Sequence, residues 1–305
     1  MSLTPNSYLK KVLDRETFAT DDPVLVDLRK RRDEVRDLLV AHFSESDPSI
    51  RWAGSLAKST TVRTSYDGDI TCYFPHEDEP EKTLEDLYNE VETILKDDYI
   101  VERKPSALRI RDKSTDNYYV DLHLDVVPGR FTNADEGDVF LHRTTGDKTR
   151  LKTNLLVHIE HVKKSGVRSA IRLAKVWNVR HGVGAKTFVL ELLVIKLLAE
   201  KTNENLEDQL LHFWTELRDS PADLTIEDPA NPSGNDLTPI LDECRASLSA
   251  VAATTLANIE AIGWTSVFGE VEDDDDGGGS GKTSKSAALG STVAAVSRPT
   301  KPWAE

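Results

Sequence analysis

The chain has 305 residues, with 53 acidic against 38 basic side chains, a net charge of -15 and a pI near 5.0. That length allows one large domain or two smaller ones around a shared cleft, and that charge argues against a broad, sequence-independent grip on nucleic acid, which needs a basic face to release counterions. Two cysteines without metal spacing, Cys72 and Cys244, the lack of a signal-peptide core in Met1 to Thr20, and no apolar run near the roughly 18 residues of a membrane span lead to the expectation of a soluble, cytoplasmic protein.

Asp21-Asp22-Pro23 opens a helix, in which Leu25, Leu28, Val35, Leu38, Leu39 and Phe43 recur at helical spacing as far as Ser44. Gly54-Ser55 then forms a turn able to cradle phosphate, and Asp67-Gly68-Asp69 follows. From Asp69 to Pro75 the pattern alternates, with Ile70, Cys72 and Phe74 on one face and Asp69, Thr71 and Tyr73 on the other. This predicts a strand whose acids share one open face, since side chains two apart point the same way. Leu84, Leu87, Val91, Ile94 and Leu95 mark a helix, and Tyr99 to Arg103 and Ala107 to Arg111 read as two short strands. A longer strand from Tyr118 to Pro128 buries Val120, Leu122, Leu124 and Val126 and places Asp121, His123 and Asp125 opposite. The expected arrangement is a mixed sheet with one helix-covered and one polar face.

After Gly129 the chain reads as mostly helical, through Arg168 to Arg180, Lys186 to Lys201 and Leu206 to Leu217. The turn-rich Asp228-Pro-Ala-Asn-Pro-Ser-Gly-Asn-Asp236 precedes a further helical stretch to about Ile262. Acidic, Gly, Ser and Ala-rich sequence from Glu272 to Glu305 has too little apolar content to fold alone and is expected to be a disordered tail. The division expected is a sheet lobe over 1–150, a helical lobe over 151–268 and a tail over 269–305.

A carboxylate pair followed by a third acid on a nearby strand is the donor set for hard divalent cations. Two such ions, roughly 3.5–4 Å apart, serve transfer of a nucleotidyl group by clamping both the attacking and the leaving oxygens. Asp67 and Asp69 are the pair. Asp121 and Asp125 share a strand face about 13 Å apart, so only one can join; Asp125 is preferred and Asp121 is the substitute. His123 reads as a structural hydrogen-bonding residue. Lys58 and Lys175 are each open to two readings, a phosphate contact or a solvated lysine.

Gly54-Ser55 with Asp67-Gly68-Asp69, Asp125-Val-Val-Pro128, Arg172-Leu-Ala-Lys175-Val-Trp177, Lys186-Thr-Phe-Val-Leu-Glu-Leu192 and Asp228-Pro-Ala-Asn-Pro232 together resemble the bacterial cyclic-oligonucleotide synthases of anti-phage (CBASS) defence. These are the CD-NTases, relatives of cGAS and oligoadenylate synthetase. The resemblance spans most of residues 22 to 268 and implies an α+β fold, a polymerase-β-like nucleotidyltransferase sheet lobe packed on a helical lobe, with the active site in the cleft between. It implies Asp67, Asp69 and Asp125 as catalytic metal ligands for two Mg2+ (or Mn2+) ions, and Gly54, Ser55, Lys58, Lys175 and Thr187 as nucleotide and phosphate contacts. The activity implied is synthesis of a cyclic di- or trinucleotide second messenger from NTPs, with linear oligoadenylate synthesis or RNA-end extension as the alternative. The implied partners are NTP substrates and a downstream effector reached through the product, with no membrane and no stable nucleic-acid partner. Some members join a flexible C-terminus to other proteins through a ubiquitin-like transfer system; the tail here is read equally as such an arm or as a solubilising extension.

Overall fold

The computed structural model describes residues 3–77, 82–113 and 123–271. Asp121, the first half of the expected Tyr118 to Pro128 strand and the tail from residue 272 lie outside them.

The chain opens with helix α1 (Pro5–Glu16), which the apolar pattern had not been used to predict, although Tyr8, Leu9, Val12 and Leu13 form its buried stripe and Thr4 caps it ahead of Pro5. Helix α2 (Pro23–His42) starts where expected, the Asp22 carboxylate accepting from the amide of Val24. Strand β1 (Ser49–Trp52) leads into a short helix α3 (Gly54–Lys58), so the Gly-Ser turn is the first turn of a helix. Next come β2 (Gly68–Phe74), α4 (Leu84–Asp98), β3 (Tyr99–Arg103), β4 (Leu108–Asp112) and β5 (Leu124–Phe131). Thr83 and Asp86 close a reciprocal capping box at the start of α4.

Two four-residue strands, β6 (Val139–His142) and β7 (Arg150–Thr153), extend the sheet past the point where helix was expected to take over. The seven strands run in the order β1-β2-β5-β4-β3, with β6 joining the end of β5 and β7 beyond it; β2 and β5 are parallel and the other pairs antiparallel. One face carries Ile70, Cys72, Phe74, Leu108, Ile110, Leu124 and Val126 against α2 and α4. The opposite face is not the open polar surface expected. Asp69, Thr71 and Tyr73 retain 0%, 1% and 6% of their exposure, because α3 packs across β2 and the β6–β7 hairpin, with Leu155 behind it, covers Tyr73, Val127 and Phe131.

The helical lobe follows as α5 (Leu155–Lys163), α6 (Arg168–Arg180), α7 (Thr187–Leu197), α8 (Leu206–Asp219), α9 (Thr238–Ala261) and α10 (Thr265–Phe268). Trp177 and Phe188, read from their helical spacing as core, are buried, and the Trp177 indole donates to Thr255 Oγ1 at 2.9 Å. Helix α1 joins this core too, Tyr8, Leu9, Val12 and Leu13 packing with residues of α6 and α8. The lobes are therefore not consecutive stretches of sequence. Among the described residues no helix is long and apolar enough to cross a membrane.

Candidate active site

Asp69 and Asp125 are each the second residue of their strand, and the parallel register of β2 and β5 sets them directly side by side. Asp67 lies two residues ahead, beyond Gly68. A Cβ at Gly68 would come 2.5 Å from Leu124 Cδ1 and 3.1 Å from Leu28 Cδ2, so a side chain there would have to displace the buried leucines packed beneath the acid pair. One carboxylate oxygen from each of Asp67, Asp69 and Asp125 falls within 4.8 Å of the others; Asp67 is half-buried and the other two are fully buried. Two unit negative charges about 5 Å apart repel by roughly 3 kcal/mol at an effective dielectric of about 20. Such a group calls for positive charge, and three carboxylates converging on one point fit a hard divalent cation by number and by chemistry.

Part of that charge comes from the chain. Arg109 on β4 is the register partner of Asp125, and its guanidinium grips both carboxylate oxygens, Nε to Oδ1 at 2.8 Å and a terminal nitrogen to Oδ2 at 3.0 Å. Burial works against the arginine's charge, yet the hydrogen bond to Asp125 and the charges of Asp125, Asp67 and Glu102 outweigh it and raise its pKa. Sequence reasoning missed Arg109. The alternation Leu108, Ile110 against Arg109, Arg111 put it on the acids' face, but only the strand pairing shows which residue it meets. His123, just before β5, is buried, and its carbonyl accepts from the amide of Gly68 at 3.3 Å.

The phosphate-contact expectations fall on a second group. Gly54 has φ +57°, a left-handed conformation that glycine adopts without strain, and it starts α3. Ser55 is buried with its hydroxyl accepting from Thr61 Oγ1 at 3.2 Å. Lys58, at the end of α3, is not a solvated lysine. Its ammonium is buried and donates to Glu191 Oε2 at 2.7 Å, 4.9 Å from the centre of the Phe188 ring. Lys175 on α6 is equally buried and lies 2.9 Å from Glu191 Oε1, while donating to the carbonyl and hydroxyl of Thr60 at 3.1 and 3.2 Å. Burial alone would raise the Glu191 pKa, but the two ammonium groups overcome it and hold the carboxyl far below its ordinary value. Glu191 thus ties α3 of the sheet lobe to α6 and α7 of the helical lobe. The signal for it was a lone acid in the otherwise apolar Leu190-Glu191-Leu192, since an acid buried in such a run must be paired. Thr187 is the first residue of α7, half-buried, at a helix start where Lys186 makes no side-chain cap.

The Asp228-Pro turn is built around its acid. The buried Asp228 carboxylate meets His158 Nε2 of α5 at 2.7 Å and accepts from Asn235 and the amide of Ala230, each at 2.8 Å. Burial opposes its ionisation, and these bonds lower its pKa nonetheless.

Compared by sequence, the chain matches no protein-family model and no curated relative. Compared by structure, it superposes on the Bradyrhizobium diazoefficiens CD-NTase CdnG, solved in complex with GTP, with a TM-score of 0.67 at 13% identity, covering 88% of this chain and 96% of that one. The chain has the CD-NTase fold. The same fold is met in E. coli MS115-1 CdnC, solved in complex with HORMA-deltaN, at a TM-score of 0.66 and 19% identity over 88% of this chain and 99% of that one. Vibrio cholerae DncV, a cyclic AMP-GMP synthase described as a prokaryotic cGAS homolog, gives 0.58 at 18% identity, over 89% and 82% of the two chains. The likeness is one of fold, a mixed α/β architecture of sheet and helices, as the motifs implied.

Proposed function

We propose that the chain is a CD-NTase that joins NTPs into a cyclic di- or trinucleotide second messenger. The observation that carries the reading is the convergence of Asp67, Asp69 and Asp125 within 4.8 Å on a fold shared with cyclic-nucleotide synthases. Asp67 and Asp69 would hold two Mg2+ or Mn2+ ions, with Asp125 completing one of the sites. The ions supply Lewis-acid stabilisation of the charge that builds on the transferred phosphate.

The chain's own groups bind and orient. Gly54 and Ser55 hold the outer phosphates of the donor, and Thr187 adds a hydrogen bond from the helical lobe. Lys58 and Lys175, which meet at Glu191, bring two ammonium groups to neutralise triphosphate charge. The hydroxyl oxygen of one nucleotide forms a bond to the α-phosphorus of another as the bond to pyrophosphate breaks. Positioning of both nucleotides in line and neutralisation of their charge together contribute most of the rate. The product acts through a downstream effector in anti-phage signalling in the cytoplasm.

The deciding experiment is mass spectrometry of the products from a mixture of four NTPs with Mg2+ or Mn2+. A phosphatase-resistant cyclic product supports the reading. Products with a removable terminal phosphate favour linear oligoadenylate synthesis or RNA-end extension, and no NTP turnover with either ion would falsify an enzymatic role.

A further inference from the structure

The register of the sheet sets four charged residues in one row across neighbouring strands: Asp69 beside Asp125, Asp125 opposite Arg109, and Arg109 opposite Glu102. Residues paired in this way present their side chains on the same face. Arg109 sits between the acid group and the sheet edge with its side chain 15% exposed, while Asp125 is fully buried. A two-pronged guanidinium contact fixes the plane of a carboxylate as well as its place, which a single lysine contact does not. We propose that Arg109 is a positioning residue of the cation site. It sets the plane of the Asp125 carboxylate and supplies the counter-charge that lets the three acids stand together before a divalent cation arrives.

The proposal rests on the metal-dependent reading above and makes a demand that an ordinary ion pair does not. Counter-charge from arginine and from a cation act on the same three acids, so each must be worth more when the other is missing. The test is thermal unfolding of the full chain, without nucleotide, in EDTA and in saturating Mn2+. Arg109→Met is expected to lower the midpoint in EDTA by roughly 5–10 °C, and Mn2+ is expected to recover most of that loss, so that its midpoint rise exceeds that of the native chain. Arg109→Lys, which keeps the charge and loses the fork, is expected to lie between the two in EDTA. If Arg109→Met does not fold, Arg109→Lys against the native chain carries the comparison.

Equal losses with and without Mn2+ make Arg109 a structural ion pair and overturn the proposal. An Arg109→Lys chain whose Mn2+ response equals that of the native chain, with no loss in EDTA, overturns the role of the fork. The Asp67→Asn, Asp69→Asn chain separates the two levels. A native Mn2+ response that this variant abolishes upholds the cation site whatever Arg109 does; a native chain with no Mn2+ response, or a response that survives in the variant, removes the cation site and the proposal together.

Discussion

The acid group of the sheet lobe, buried except for the half-buried Asp67, and the buried lysine pair at the lobe junction carry opposite excess. Asp67, Asp69 and Asp125 with Arg109 sum to two negative charges; Lys58 and Lys175 with Glu191 sum to one positive charge. Isolated buried ions are expensive, so buried groups normally come close to neutrality. Here carboxylates outnumber the cation they meet in one group and ammonium groups outnumber the carboxylate in the other, an asymmetry that suits the proposed binding of a metal ion together with a nucleotide. The difference also separates two kinds of work. The acid row lies within one sheet and is set by strand register, whereas Glu191 spans two lobes and holds them in contact.

The largest break comes from the acid row. Asp67→Asn with Asp69→Asn is expected to cut product formation by about a thousandfold or more, the rate equivalent of the several kcal/mol that metal stabilisation contributes. Its thermal midpoint in EDTA should equal or exceed the native value, since like charges have been removed; a collapsed fold in this variant would make the row structural. The lysine junction should behave the other way round. Glu191→Gln leaves two buried ammonium groups without their carboxylate and is expected to cost about 3–5 kcal/mol in denaturant unfolding. If it unfolds like the native chain, Glu191 is not what ties the lobes.

Acid titration sharpens the same point. Glu191 has a folded pKa below its ordinary 4.5, so its contribution is fully present above that value and is lost as pH falls below it. Thermal midpoints should decline below about pH 4.5 in the native chain and decline less in Glu191→Gln; parallel curves would contradict the assignment. The smallest change belongs to neither group. Thr83→Ala removes the α4 capping box and is expected to cost about 1 kcal/mol with turnover unchanged, which gives the baseline for reading the other variants.

Much of this was legible in the sequence where a pattern repeats over many residues. The stretch Arg168 to Arg180 is helical from end to end, and the β2 alternation was read in the correct phase. What the pattern could not tell was whether the second face of β2 meets water, because its cover comes from α3 and from β6 and β7, strands of four residues whose existence depends on pairing with each other. The stripe of α1, Tyr8, Leu9, Val12 and Leu13, is by contrast a local pattern. Asp69 and Asp125 were singled out from their spacing, but Arg109 required the antiparallel register and Glu191 required the lobes to meet, and neither is a local property. For the same reason Lys58 and Lys175 stay open in the sequence between a phosphate contact and a solvated lysine.

Helix α1 has a consequence for how the chain comes together. Leu9 and Val12 precede the whole sheet lobe in sequence, yet apart from Val62 the core they enter begins at Val162. Their contacts close a loop that contains the whole sheet lobe, and long-range closure of that kind slows folding. The apolar stripe of α1 is therefore among the last to be buried, since it has no core to enter until α6 and α8 are in place.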